Sequence, residues 1–220
     1  MKTPFTAEQF FNVFEKYNMI MFPSQFLIIA LGLYALLLVG SDNTYKNVLI
    51  GTYLGLLWIW TGFVYHIVFF TEINKAAYLF GILFIVQGFL ILIHTLINDK
   101  LNFATTRNTR GYSGIFLILF GLVIYPAISY FVGNSFGKTI AAGLPCPTTI
   151  LTFGFFMLAN SKFPKLLLII PSLWAIVGLS AVINLGVYQD LMLIISAIIA
   201  NIVMIKVKTL KPERPYLRSK

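Results

Sequence analysis

AAYLFGILFIVQGFLILIHTLI, residues 76–97, decides the fold. The run stretches from Lys75 to Asn98-Asp99-Lys100 without an acidic residue, a lysine or an arginine. At about 1.5 Å rise per residue, a helix of this length crosses the roughly 30 Å hydrocarbon layer of a bilayer. The run lacks the ten-residue alternation of a barrel strand. Backbone amides in lipid must also be satisfied within their own segment, which leaves an α-helix.

Six further apolar segments flank it: Met19 to Gly40, Val48 to Phe70, Gly114 to Phe131, Ile140 to Ala159, Leu166 to Leu185 and Leu191 to Val207. Over the 220 residues, 59% are hydrophobic and only 10% charged, against roughly half and a quarter in soluble domains. The expected fold is an all-α, polytopic membrane bundle of seven transmembrane helices, or six with a re-entrant segment. Residues 1–18 are expected to form an amphipathic interfacial helix, 19–207 a single bundle and 208–220 a basic cytoplasmic tail.

The interfacial helix is predicted from Thr6 and Gln9, which have the spacing of a capping box. Phe10, Phe11, Val13, Phe14 and Tyr17 then fall mostly on one side, with Glu8, Asn12, Glu15 and Lys16 on the other. A soluble cap on the bundle would read the same way. Met1 to Asn18 has neither the basic start nor the apolar core of a cleavable signal, so no processing is expected.

Six of the 16 basic residues, Lys206, Lys208, Lys211, Arg214, Arg218 and Lys220, lie in the last fifteen positions. Their place beside a span suits anionic lipid headgroups rather than nucleic acid. With seven spans, these six join Lys46, Lys100, Arg107, Arg110, Lys162 and Lys165 on one side, 12 against the 4 of Lys2, Lys16, Lys75 and Lys138. The excess of basic residues marks the cytoplasmic side. Gly143-Leu144-Pro145-Cys146-Pro147 interrupts the fifth segment, since proline lacks an amide hydrogen and crowds the preceding turn. If that segment re-enters, Lys162, Lys165 and the six tail residues lie with Lys2, Lys16, Lys75 and Lys138, again 12 against the 4 of Lys46, Lys100, Arg107 and Arg110, now with the N-terminus inside. The tail is cytoplasmic in both arrangements.

The run Trp58-Ile59-Trp60-Thr61-Gly62-Phe63-Val64-Tyr65-His66 continues through Phe69-Phe70, Ile73-Asn74, Phe80-Gly81 and Gln87-Gly88. With Leu144-Pro145-Cys146-Pro147-Thr148-Thr149 and Phe5-Thr6-Ala7-Glu8-Gln9-Phe10-Phe11, it resembles a family of uncharacterised prokaryotic membrane proteins, domain of unknown function 6064. The resemblance covers essentially the whole chain. It implies a multi-pass protein of the prokaryotic cytoplasmic membrane and supplies no activity.

No Asp or Glu falls deep within the seven segments, which argues against a proton or sodium symporter. The last span has no central lysine for a retinal Schiff base. The single cysteine excludes an intrachain disulfide and a cysteine-rich metal centre. His66 and His94 lie near opposite ends of an antiparallel hairpin, about 20 Å apart, too far to share one metal or haem. No cofactor is expected. Copper-pump chemistry at Pro145-Cys146-Pro147 would need cytoplasmic domains that this sequence lacks.

His66 and Cys146, by contrast, come to similar depth if the fifth helix starts at Ile140. With seven spans, Gln25, Tyr125, Thr148, Thr149 and Asn184 are expected at similar depths. Together they suggest a ligand-binding polar cup, with His66, Cys146, Tyr65, Gln25, Thr148 and Asn184 as its candidate residues. Interhelical hydrogen bonds that merely hold the bundle are the competing reading, at about 0.6 kcal/mol each.

A small-solute permease, channel or binding protein is thus expected ahead of a scaffold or assembly factor. An intramembrane enzyme with His66 as acid or base and Cys146 as nucleophile ranks below both. His66→Ala is expected to cost more than His94→Ala. Trp58 and Trp60, two residues apart, are expected to face different neighbours. Gly51 and Gly55 have the spacing of a close helix contact, within the bundle or in a homo-oligomer. Pro126 and Pro171 are expected to kink their helices.

Overall fold

The structure, a computed structural model, describes residues 4–132, 135–159 and 163–206. Lys2, Lys162 and the tail from Val207 onward, with the topology and lipid contacts expected of them, lie outside the described residues. The fold is all-helical, with 80% helix and no strand among the described residues.

The helices are α1 (Ala7–Met21), α2 (Ser24–Val39), α3 (Lys46–Trp60), α4 (Ala77–Leu92), α5 (Thr109–Leu119), α6 (Tyr125–Phe131), α7 (Pro145–Met157), α8 (Ile169–Leu185) and α9 (Leu191–Lys206). A π turn at Thr61–Phe69 continues α3, another at Ile93–Ile97 continues α4, and a third at Phe120–Ile124 joins α5 to α6. Five continuous helical stretches are long and apolar enough to cross a membrane, or up to six if the bent pair α1 and α2 counts as one. The expectation of seven spans is met only that far, because α2 has 16 residues and α7 only 13.

Helix α1 begins at its capping box. Thr6 Oγ1 accepts from the Gln9 amide at 3.2 Å, and Gln9 Oε1 accepts from the Thr6 amide at 2.9 Å. The helix then turns by 83° into α2 and lies across one end of the bundle. Val13, Phe14 and Tyr17 are buried beneath it, while Glu8, Asn12 and Lys16 face outward. Lys16 pairs with Glu72 at 2.5 Å and Glu15 with Lys138 at 3.6 Å. Asn18 donates to the Gly137 and Thr139 carbonyls at 2.6 and 2.8 Å.

The opposite end gathers other segments. Asn47 Oδ1 accepts from the Phe103 amide at 2.8 Å, and the Ala104 amide donates to the Leu158 carbonyl at 3.0 Å. Arg110 donates to the carbonyls of Met157 and Ala159 beyond the last turn of α7. Lys165 Nζ donates to the Ile205 carbonyl at 3.0 Å.

Helix α7 runs through the centre, with every residue from Pro147 to Ala159 buried. It starts at Pro145, five residues later than Ile140, so the condition on which Cys146 was placed level with His66 is not met. Gly143 adopts φ 98°, a left-handed conformation that glycine reaches without Cβ strain, and Pro145 occupies the first helical turn where its missing amide hydrogen costs nothing. The residues before Pro145 are therefore non-helical, and side chains satisfy their backbone. Ser129 Oγ accepts from the Ile140 amide, Thr148 Oγ1 accepts from the Gly143 amide, and Thr61 and Tyr17 hydroxyls donate to the Gly143 carbonyl, at 2.9 to 3.3 Å. Irregular backbone is tolerated in an apolar bundle when protein groups satisfy it in this way.

The seam between α3 and α4 is closed by glycine. A Cβ on Gly88 would stand 2.6 Å from the Gly55 carbonyl oxygen, and one on Gly51 would strike Thr95, so Gly51 and Gly55 serve contact within the bundle. Trp58 donates to Thr152 and Trp60 to Tyr17, each at 2.9 Å, on different neighbours as expected. Pro126 follows the π turn at Phe120–Ile124. Pro171 stands in the first turn of α8, after a 3-10 turn at Lys165–Leu168, and not mid-span.

Candidate functional site

Where α1 crosses the bundle end and α7 starts late, the helices enclose a cavity of about 370 Å³. Phe10 and Phe14 come from α1, Tyr65 and Phe70 from the end of α3, Tyr125 from α6, Cys146 from α7 and Trp174 from α8. Phe14 stacks on Tyr65 at 5.7 Å between centroids and Tyr65 on Phe70 at 5.5 Å, which makes one wall aromatic. Tyr65 lies within a π turn and Tyr125 directly follows another. The extra residue per turn rotates a side chain away from the register of an α-helix, a device often found at functional sites.

Asp190 is the group that sequence reasoning missed. It closes the 3-10 turn Tyr188–Asp190 at the head of α9, is 1% exposed and lines the cavity. The Tyr125 hydroxyl donates to its Oδ1 at 2.5 Å and the Cys146 thiol to its Oδ2 at 3.3 Å. Asp190 precedes Leu191, so no Asp or Glu falls deep within a segment, yet a carboxylate buried at the bundle end weakens the argument against ion coupling drawn from that expectation. Asp190 immediately precedes an apolar run and reads in sequence as a solvated helix start. The available signal was the short link from Leu185 to Leu191, which leaves little chain to carry the acid out of the bundle.

The expected cup is divided. Tyr65 and Cys146 share the cavity, and Thr148 is buried within the first turn of α7, accepting from Gly143. Thr149 turns its hydroxyl to the Pro145 carbonyl at 2.8 Å. Gln25 lines a separate cavity of about 120 Å³ and donates to the Asn18 carbonyl at 3.1 Å. Asn184 is exposed and donates to the Ser180 carbonyl of its own helix.

His66 is fully buried among rings, 4.7 Å from Phe84 and 5.1 Å from Trp174, with no hydrogen-bond partner at either nitrogen. It does not line the cavity, and the partner of Cys146 is Asp190 rather than His66. Trp174 stands beside both, packing on His66 and lining the cavity with Cys146. Its buried indole N–H has no hydrogen-bond partner among the described residues. His94 is 8% exposed and meets the Asn98 side chain at 3.1 Å.

Chemically, the site joins an apolar, aromatic chamber to one carboxylate held by a phenol and a thiol. Buried polar groups in an otherwise apolar concavity fix the orientation of a bound molecule. The chain belongs to a family of unknown function (DUF6064), whose model matches residues 7–214. The likeness carried by residues 58–66 and 144–149 is thereby shown. No curated protein and no solved structure matches the chain.

Proposed function

We propose that this protein is an integral protein of the prokaryotic cytoplasmic membrane that binds a small, mostly apolar solute in the chamber beneath α1. The observation that carries this reading is Asp190, buried on the cavity wall and held by Tyr125 and Cys146. A carboxylate kept out of water is costly, and in membrane bundles such groups mark ligand or ion pathways more often than packing. Below the chamber, α7 is enclosed on every side from Pro147 to Ala159, which favours a pocket open at one end over a through-channel.

Seven crossings and a cytoplasmic C-terminus complete the reading. The contacts at the two ends support it: the approach to α7 meets α1 through Asn18, whereas its far end meets Arg110 and Ala104. Together with its non-helical approach, this 13-residue helix links the two ends. Residues 1–18 then form an interfacial element, 19–207 the bundle, and 208–220 a tail that meets anionic lipid. A homo-oligomer or another membrane protein would meet the outer faces of the helices.

Native mass spectrometry of the detergent-solubilised chain tests the binding reading. The wild type is expected to retain a small molecule that Ala181→Phe, which fills the chamber wall, releases without unfolding. Retention of the same species by both proteins, or a wild type that neither retains nor is stabilised by any apolar solute, would refute it. For topology, an impermeant maleimide applied to intact cells is expected to reach Cys146 from outside. A C-terminal reporter should be active only in the cytoplasm, and alkaline phosphatase activity from the same fusion would reverse the orientation.

A further inference from the structure

We infer that the solute is a hydrophobic ammonium compound, an amine or quaternary nitrogen whose charge sits against Asp190 and whose apolar body lies along the aromatic wall. This rests on the solute-binding reading and names the ligand class. Both donors to Asp190, the Tyr125 hydroxyl and the Cys146 thiol, are neutral. Among the described residues no lysine or arginine lines the chamber. A carboxylate carries about four lone-pair positions, so two donors leave acceptor capacity facing the cavity. In an apolar enclosure the missing complement of such a group is a positive charge.

The wall favours an organic cation over a metal ion. Hard cations require six or more oxygen ligands, commonly several carboxylates, whereas the side chains of this chamber offer one carboxylate, two phenols, the Asn74 amide and the Ser180 hydroxyl, and among the described residues no three His, Cys, Asp or Glu gather. Phe14, Tyr65, Phe70, Phe80 and Trp174 instead present rings, whose negative faces attract alkylammonium groups, most strongly where water is excluded. An anionic solute would meet Asp190 with like charge, and a neutral one would leave the acid to be neutralised by a proton, without the attraction that an ammonium charge supplies.

The test compares phenyltrimethylammonium with tert-butylbenzene, its neutral isostere, by titration against the full-length protein in detergent. The cation is expected to bind roughly tenfold more tightly or better. Asp190→Asn should reduce its affinity to that of the neutral probe without weakening the neutral probe. Equal or tighter binding of tert-butylbenzene to the wild type overturns the charge assignment and leaves solute binding standing. Binding of neither probe overturns the assignment, and the mass-spectrometric comparison with Ala181→Phe then decides the broader reading separately. The wild-type contrast carries the result should Asp190→Asn fail to accumulate. Repeating the titration in phosphatidylglycerol nanodiscs with and without phosphatidylethanolamine distinguishes the source of the amine. Competition by the aminolipid identifies a lipid headgroup, and its absence a free amine.

Discussion

The seam between α3 and α4 and the chamber beneath α1 are built from similar apolar and aromatic residues, yet one is closed and the other hollow. In the seam both helices carry glycine at the crossing, and their backbones approach until an added Cβ would meet a carbonyl oxygen at 2.6 Å. At the chamber, α7 supplies no helical turn before Pro145, and of residues 140–144 only Ile140 lines the space. Close packing between apolar helices thus depends on continuous helix on both sides. Where one partner starts late, the gap persists and its polar groups face inward.

The largest effect that distinguishes the two regions is expected at Gly88. Gly88→Leu forces α3 and α4 apart and should cost at least about 3 kcal/mol, seen as loss of a monodisperse peak in detergent. A variant that melts like wild type would mean the seam is not closed by backbone contact. Next, Arg110→Ala frees the carbonyls of Met157 and Ala159 at the closed end of α7. A loss of about 2 kcal/mol is expected in thermal unfolding, as for charge-assisted hydrogen bonds.

At the open end, Tyr125→Phe removes one donor from Asp190 and should cost about 1.5 kcal/mol. It should also change affinity for the cationic probe, whereas Arg110→Ala should change stability alone. Parallel behaviour of the two variants would erase the distinction between structural and ligand-facing ends. The smallest effects test hollowness itself. Ala181→Phe adds bulk where space exists and should alter stability by less than about 1 kcal/mol, in contrast with Gly88→Leu. His66→Phe keeps the ring contacts and removes two unpartnered buried nitrogens, so it should melt at or above the wild-type temperature. A large loss would show that the imidazole performs chemistry that its surroundings do not reveal. The cost expected of His66→Ala then comes from a hole among rings.

What was legible in the sequence was local. The capping box at Thr6 and Gln9, the apolar runs, the opposed tryptophans and the glycine spacing each depend on a helix and its immediate neighbours. Tyr65 and Cys146 were legible as cavity residues, for they stand near the same bundle end in any helical reading. The rest depended on departures from helix. Cys146 was placed by a helix starting at Ile140, whereas Gly143 and Pro145 delay α7 to Pro145, and its partner is Asp190 rather than His66. Asp190 lies outside the apolar run that defines its helix, and only the short return from α8 draws it inward. The π turns at Thr61–Phe69 and Phe120–Ile124 that set Tyr65 and precede Tyr125 have no residue signature beyond glycine and branched side chains common to the whole bundle.

The 83° turn between α1 and α2 has a consequence for how affinity should be measured. It lays Phe10 and Phe14 against the chamber, and on the proposed reading of residues 1–18 as an interfacial element an amphiphile dissolved in the headgroup layer would stand beside the opening. Each methylene transferred from water to the bilayer contributes about 0.8 kcal/mol, and two enrich a molecule there roughly tenfold. The concentration that drives occupancy is then moles of solute per mole of lipid. Apparent dissociation constants expressed in bulk water should rise in proportion as lipid or detergent is added, while those expressed per lipid stay constant.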